Sequence, residues 1–263
     1  MENKDTEKRE ATKKDIARVA GIVLLVITVC IAWSIIDLLP VIGDPDSPPN
    51  AHVSQVYIEE GPAATNSPNL VTGVLADYRG FDTLLETTVM YLAGFSVAMV
   101  LSNRLKRRWD AEIFGRLKVF GRPDVQVIIP LIVPIVLIYA VYVLMHGEVS
   151  LGGGFQAGAL IAMAYILYVM VAGIEIKSIK VTQHFAVCTA AVGVLIYALT
   201  GLLPLFAGGK FLEYGKLPLP IHEGELHSIG ILLIEIGVTV CVAATIITIL
   251  EAVLERKSIH ERD

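Results

Sequence analysis

Long apolar runs recur along this chain of 263 residues, and each is long enough to cross a lipid bilayer. The six runs cover about residues 16–39, 81–101, 125–145, 153–174, 184–205 and 226–253. Because backbone hydrogen-bonding groups must be satisfied within the hydrocarbon, such runs predict helices. We therefore expect an all-α integral membrane protein with about six transmembrane helices.

The segments between these runs differ in charge, and the difference predicts an orientation. The chain contains 21 Lys and Arg residues, and only Arg79, Lys210 and Lys216 lie on the other side of the membrane from the rest in this arrangement. The others lie in four segments: up to the start of the first run, between runs two and three, between runs four and five, and after run six. By the positive-inside rule, both termini are then cytoplasmic. Residues 1–15 and 255–263 become cytoplasmic tails, and residues 40–80 form an external loop.

Two of the connecting segments have a predicted structure of their own. The basic link 104–124 carries aromatic and aliphatic residues at helical spacing, which predicts an amphipathic helix at the membrane surface. Residues 40–68 are rich in Pro, Gly, Asp and Asn, which favours a loop with one short extended piece at His52–Ile58. The apolar stretch Leu70–Leu75 is too short to span the membrane. We expect it to form a half-helix that ends near Gly80, where glycine permits a break.

Composition narrows the possible functions. Hydrophobic residues make up 54% of the chain, and the mean hydropathy is +0.65, which excludes a water-soluble globular domain. The three cysteines lie in apolar runs without metal-ligand spacing and are interpreted as packing residues. We find no catalytic or metal-ligand pattern at plausible spacing, so we predict a chain that is not an enzyme, binds no metal and holds no cofactor.

Acidic residues at the start of the second run are the first candidates for function. Asp77 precedes the run, and Arg79, Asp82 and Glu86 follow at spacings that place them on one helical face. Glu86 is expected about one turn inside the hydrocarbon, where a carboxylate is costly unless it is paired, hydrated or protonated. A functional role and a structural ion pair between Glu86 and Arg79 both remain open.

Two further carboxylates lie in the second half of the chain. Glu235 is about halfway along the sixth run, so its side chain must face another helix or water and not lipid. A hydrogen bond between helices is the alternative to a functional role. Glu148 precedes the glycines 152–154, which allow a sharp turn or close helix packing; it is either a functional residue or an ordinary loop residue. The histidines that start the last two runs, His184 and His227, are interpreted as interfacial anchors.

Two stretches resemble one known family, the multisubunit Mrp-type cation/proton antiporters. Asn69–Glu86 resembles the tail of the large antiporter subunit, with the pattern N-x-V-x-x-x-L-x-D-x-R-G-F-D-T-x-x-E. Residues from 125 to about 250 resemble the MnhB/MrpB subunit, which has a turn of the form G-H-x-x-P-G-G-G-F-x-x-G. Glu148 stands where this turn usually has histidine, and Leu151 where it has proline.

The resemblance implies two modules, residues 16–103 and residues 125–254. It also implies a non-redox subunit that helps form a path for Na+ or H+, through Glu86 with Asp82 and Arg79, and separately through Glu235. A large-subunit tail joined to an MnhB-like region is more similar to archaeal membrane-bound hydrogenase and sulfane-sulfur reductase complexes than to stand-alone Mrp antiporters. The expected partners are other antiporter subunits and hydrogenase-like iron–sulfur subunits. The alternatives are an independent channel or transporter, membership of a stand-alone antiporter, and a purely structural scaffold role.

Overall fold

Six long helices form the fold in the part of the chain that the structure describes. The computed structural model describes residues 2–36, 38–39, 43–47, 49–104, 123–172 and 181–260. The six helices are α1 (Glu2–Ile36), α2 (Gly80–Arg104), α3 (Pro123–Met145), α4 (Gly154–Ala172), α5 (Gln183–Phe206) and α6 (Glu223–His260). Each contains a segment that is long and apolar enough to cross a membrane. The predicted all-α architecture with six transmembrane helices is confirmed.

Several predictions concern features that the structure leaves untested. Residues 105–122 lie outside the described part of the chain, so the amphipathic helix in the basic link stays a prediction. The cytoplasmic placement of both termini and the external placement of residues 40–80 also stay predictions. The structure adds one detail, because α1 already begins at Glu2 and residues 2–15 are therefore helical.

The chain divides into two compact units, Met1–Val56 and Tyr57–Asp263. In the first unit, the apolar segment Arg18–Ile36 of α1 buries none of its residues. Its polar side chains are satisfied within the helix, since Thr28 donates to the Leu24 carbonyl and Ser34 to the Cys30 carbonyl, each at 2.8 Å. This segment can therefore face lipid without an unpaired hydroxyl group.

In the second unit, α6 is the central helix. Of its most apolar segment, Gly224–Val253, 67% is buried. Glycines of the neighbouring helices let the backbones approach α6 closely. A Cβ atom at Gly193 of α5 would lie 2.5 Å from the Cys241 nitrogen, and one at Gly158 of α4 would lie 2.8 Å from the Thr239 carbonyl oxygen. Such contacts between small residues are the usual means of helix association in membranes.

The segment before α2 is helical and irregular. Wide helical turns at Pro49–Val53 and Val56–Glu60 replace the short extended piece expected at His52–Ile58, so that prediction is wrong. Pro49 opens the first turn, where its fixed φ suits a helical start. The expected half-helix is confirmed: it begins at Leu70, continues as a wide turn over Gly73–Tyr78, and precedes the start of α2 at Gly80.

Buried hydroxyl groups hold the break between this half-helix and α2. Tyr214 donates to the Ala76 carbonyl at 3.0 Å, and Tyr197 donates to the Gly80 carbonyl at 2.7 Å. Thr83 donates to the Leu75 carbonyl at 2.7 Å. These bonds satisfy carbonyl groups at a point where the regular helical ladder is interrupted.

Candidate functional site

The turn between α3 and α4 lies against the segment that precedes α2. The Asn69 side-chain amide donates to the carbonyls of Gly147 at 2.9 Å and Ser150 at 2.8 Å. The Thr72 hydroxyl donates to the same Gly147 carbonyl at 2.7 Å. The two stretches that resemble different antiporter subunits are therefore joined directly by hydrogen bonds.

The carbonyl of Glu148 is held in the same way. It accepts from the Ser67 hydroxyl at 3.0 Å and from the Asn69 backbone nitrogen at 3.0 Å. Hydrogen bonds to the Gly147, Glu148 and Ser150 carbonyls thus fix the backbone of this turn, which we call the glycine turn (residues 147–154). Because these hydrogen bonds fix its backbone, the glycine turn is a rigid element of the structure.

The glycine turn covers the carboxylate of Glu235. This side chain belongs to a residue only 8% exposed, and its Oε2 atom has no hydrogen-bond partner among the described residues. A Cβ atom at Gly147 would lie 2.8 Å from Oε2, and one at Gly153 would lie 2.9 Å from Oε1. Gly153 also has φ +128°, a conformation that side-chain-bearing residues rarely adopt. Glycine at these two positions therefore leaves the space that the Glu235 carboxylate occupies beneath the turn.

Glu148 extends a second carboxylate from the same turn. Burial raises the pKa of this carboxyl above its ordinary value, and a hydrogen bond with the Ser228 hydroxyl acts in the opposite direction. Ser228 in turn accepts from the Asn66 amide at 3.1 Å. Glu148 directly follows Gly147, whose backbone packs against the Glu235 carboxylate. The two residues, predicted separately, therefore belong to neighbouring parts of one structure.

Asp77 pairs with a residue that sequence reasoning did not select. Its Oδ2 atom lies 2.5 Å from His227 Nδ1, and the two side chains are 14% and 19% exposed. The Tyr214 ring packs edge-on against the imidazole, with ring centroids 6.4 Å apart. We interpreted His227 as an interfacial anchor, and the structure shows that it binds the half-helix to α6. We refer to Asp77, Glu148 and Glu235 as the enclosed group.

The other three predicted residues are more exposed than the enclosed group, and we call Arg79, Asp82 and Glu86 the exposed group. Arg79 forms an ion pair with Asp82, with Nε donating to Oδ2 at 2.7 Å. Glu86 is exposed, and it makes no ion pair within the part of the chain that the structure describes. The alternative in which Glu86 is held by Arg79 is therefore wrong, because the arginine pairs with the nearer carboxylate.

A further buried carboxylate escaped sequence analysis. Glu251 of α6 is 8% exposed and accepts a hydrogen bond of 2.6 Å from the Tyr165 hydroxyl of α4. Its position within the sixth apolar run was the available signal. The bond satisfies one carboxylate oxygen, which distinguishes Glu251 from Glu235.

The chemistry that the enclosed group offers is that of buried carboxylates. Among the described residues, no three His, Cys, Asp or Glu side chains are placed to hold a metal ion. The enclosed group instead offers carboxylates in low-dielectric surroundings, where binding a proton or a cation compensates for lost hydration.

Comparison with known proteins identifies relatives of the second half. Residues 125–248 match the family described as "Domain related to MnhB subunit of Na+/H+ antiporter". The antiporter subunit mnhB2 of Staphylococcus haemolyticus is 33% identical over 134 residues, which are 49% of this chain and 91% of that protein. A K(+)/H(+) antiporter subunit of Rhizobium meliloti is 24% identical over 216 residues, 72% of this chain. This chain spans only 22% of that longer relative.

Solved structures of two complexes contain chains with a similar fold. A chain of the Mrp complex from Dietzia sp. DQ12-45-1b matches with TM-score 0.61 and 23% identity, over 92% of this chain and 26% of that chain. A chain of the membrane-bound sulfane sulfur reductase, an archaeal respiratory membrane complex, matches with TM-score 0.62 and 26% identity. That match covers 89% of this chain and 97% of the other.

Proposed function

This chain belongs to the MnhB family of antiporter subunits, and from that premise we propose that it is a non-redox membrane subunit of a multisubunit Mrp-type Na+/H+ antiporter module. Its role is to help form the path for Na+ or H+, which are cargo and not resident cofactors. The chain itself catalyses no reaction. It is a multi-pass protein of the cell membrane, and in this proposal both termini are cytoplasmic.

The unpaired carboxylate of Glu235 is the observation that carries the proposal. A purely structural scaffold has no use for such a group, because a buried charge without a partner costs free energy that an apolar residue avoids. In the described part of the chain, Glu235 Oε2 has neither a cationic partner nor a hydrogen-bond donor. A group that binds a passing ion must be able to gain and lose its partner. The geometry at Glu235 therefore favours an ion path over a scaffold.

The place of this subunit within a respiratory complex is a second part of the proposal. It is supported by the likeness to a chain of the sulfane sulfur reductase, where each chain covers most of the other. The partners proposed are other antiporter subunits together with hydrogenase-like iron–sulfur subunits. Gentle purification of the native complex tests this directly. Copurification of iron–sulfur subunits is expected, and a complex of antiporter subunits alone would indicate a stand-alone exchanger.

The transport role is tested with Glu86→Gln and Glu235→Gln in the intact complex. Sodium-coupled transport into membrane vesicles is expected to fall to background in each variant, while all subunits still copurify. Glu225→Gln is the matched control, because Glu225 is an exposed carboxylate near the start of α6. Normal transport by both test variants would show that neither carboxylate belongs to the path.

A further inference from the structure

We propose that the Glu235 carboxylate and the side-chain oxygen of Gln156 together bind one monovalent metal cation beside Gly153. The inference deepens the proposed function and rests on it for its physiological role. It names the class of ligand, and it adds Gln156, a residue that sequence analysis did not select. Cation binding by the purified complex can be tested whether or not transport depends on it.

The backbone of Gly153 brings the two side chains together. A Cβ atom at this residue would lie 2.9 Å from Glu235 Oε1 and 3.7 Å from Gln156 Oε1. Glycine carries only a hydrogen atom in this direction, so no side chain of residue 153 separates the two oxygens. One oxygen comes from α6 and the other from the first turn of α4. The two helices therefore present oxygen atoms to one small space at the glycine turn.

The Glu235 carboxylate is incomplete in the described part of the chain. The residue is only 8% exposed, and its Oε2 atom accepts no hydrogen bond there. A buried carboxylate in this condition gains free energy by binding a proton, a hydrogen-bond donor or a cation. The orientation of the neighbouring amide distinguishes between these partners.

Gln156 presents its amide oxygen to the carboxylate. An amide oxygen and a carboxylate oxygen both accept hydrogen bonds, so neither satisfies the other. Both are preferred ligands of cations that bind oxygen. A cation between them therefore converts an unfavourable pair of acceptors into a pair of ligands.

The charge of the site determines which cations suit it. One carboxylate balances one positive charge, and the amide oxygen is neutral. Among the described residues, no three His, Cys, Asp or Glu side chains are placed to hold a metal ion. A divalent ion such as Ca2+ takes about six to eight oxygen ligands, commonly from several carboxylates. The site therefore suits a monovalent cation such as Na+ that keeps part of its water shell.

Gln156 also connects the buried carboxylate to the surface of the helix bundle. Its side chain belongs to an exposed residue, whereas Glu235 is buried. A cation that arrives from the surface can contact the amide oxygen first and the carboxylate second. Protein oxygens then replace its water molecules one at a time, as they do in ion-selective pores.

Hydrogen exchange of the glycine turn in the purified intact complex tests the site. Exchange of peptides covering residues 147–160 is measured by mass spectrometry in Na+ and in choline at equal ionic strength. A ligand bound there stabilises the local structure, so Na+ should slow exchange in the wild type. In Gln156→Leu, the Na+ concentration for half of this protection should rise about tenfold, because one ligand is lost. Glu235→Gln should lose the protection.

Two further variants make this result specific. Gln156→Glu should need less Na+ than the wild type, since it places a second carboxylate at the cation. Opposite changes in Gln156→Leu and Gln156→Glu cannot both arise from disturbed folding. Gln183→Leu is the matched control and should behave as the wild type. Gln183 begins α5, and this end of the helix packs near Ile247 of α6. Ile247 lies about 18 Å along α6 from Glu235.

Two results would overturn the inference. One is the absence of any Na+ effect on these peptides in the wild type. The other is an unchanged Na+ requirement in Gln156→Leu with faster exchange in choline, which is the result expected if Gln156 only donates a hydrogen bond to Glu235.

Transport measured on the same preparations separates this inference from the proposed function. Protection that behaves as expected, with sodium transport unaffected by Glu235→Gln, would refute the transport role alone. Loss of transport in Glu235→Gln without any Na+ effect on the glycine turn would refute the cation site alone.

Discussion

The enclosed and exposed groups both consist of ionisable residues, yet they differ in burial. Glu235 is buried beneath the glycine turn, Glu148 is partly buried, and the Asp77 side chain is 14% exposed beside His227 of α6. Arg79 and Asp82, by contrast, retain 56% and 43% exposure of their side chains. Glu86 is exposed as well, with apolar neighbours Leu85 and Val89 that are 50% and 63% exposed.

This difference in burial predicts different roles for the two groups. The enclosed group is buried by residues of this chain, so changes there should alter the stability of the fold. Apart from the Arg79–Asp82 ion pair, the exposed group can find partners only in water, lipid headgroups or another protein, because an ionised side chain is not left in hydrocarbon. Changes there should alter assembly or transport while leaving the fold of this subunit intact.

Substitution of Gly154 should have the largest effect on stability. A Cβ atom at this position would lie 2.5 Å from the Glu235 carbonyl oxygen and 2.9 Å from Val238 Cβ, and neither atom can move without displacing α6. Gly154→Ala should therefore destabilise the purified complex by about 3 kcal/mol, as overpacking does, measured by thermal unfolding in detergent. Gly21→Ala is the control, since a Cβ atom at Gly21 would meet nothing within 4 Å. Equal stability of the two variants would show that the glycine turn is not closely packed on α6.

The ion pairs of the two groups should differ in strength. Asp77→Asn removes the charged acceptor of a partly buried histidine, and the expected loss is about 2 kcal/mol of unfolding free energy. Asp82→Asn removes the partner of Arg79, which is a solvent-exposed contact, and the expected loss is below about 1 kcal/mol. Denaturant or thermal unfolding of the intact complex measures both. If Asp82→Asn were the more damaging variant, the division into enclosed and exposed groups would be wrong.

The six helices could be predicted from the sequence because hydrophobic length alone specifies a membrane span. The positions of the carboxylates could also be found, since ionisable residues are rare in such runs. The hydrogen-bonding and ion-pair partners of these carboxylates could not be predicted from the sequence. Asp77 and His227 are 150 positions apart, and no periodicity links them. The same holds for Tyr165 and Glu251, which are 86 positions apart.

One wrong prediction and one open alternative have a common physical cause. The extended piece expected within residues 52–58 is helical, and the observed ion pair of Arg79 is with Asp82. Composition indicated a loop in the first case, and helical spacing allowed either partner in the second. In both, the outcome depends on three-dimensional surroundings that short-range patterns do not contain.

The smallest expected effect concerns the pH dependence of stability at Glu148. The pKa of this carboxyl is raised above its ordinary value of 4.5, mainly by burial. Between that value and the raised pKa, the folded state binds more protons than the unfolded state, so stability falls as pH rises through this interval. Glu148→Gln cannot ionise, and its thermal unfolding temperature should fall less steeply over the same interval. Glu225→Gln should retain the wild-type slope, because Glu225 is exposed. Parallel curves for the wild type and Glu148→Gln would show that Glu148 is as well hydrated as the exposed group, and the enclosed group would then be reduced to Asp77 and Glu235.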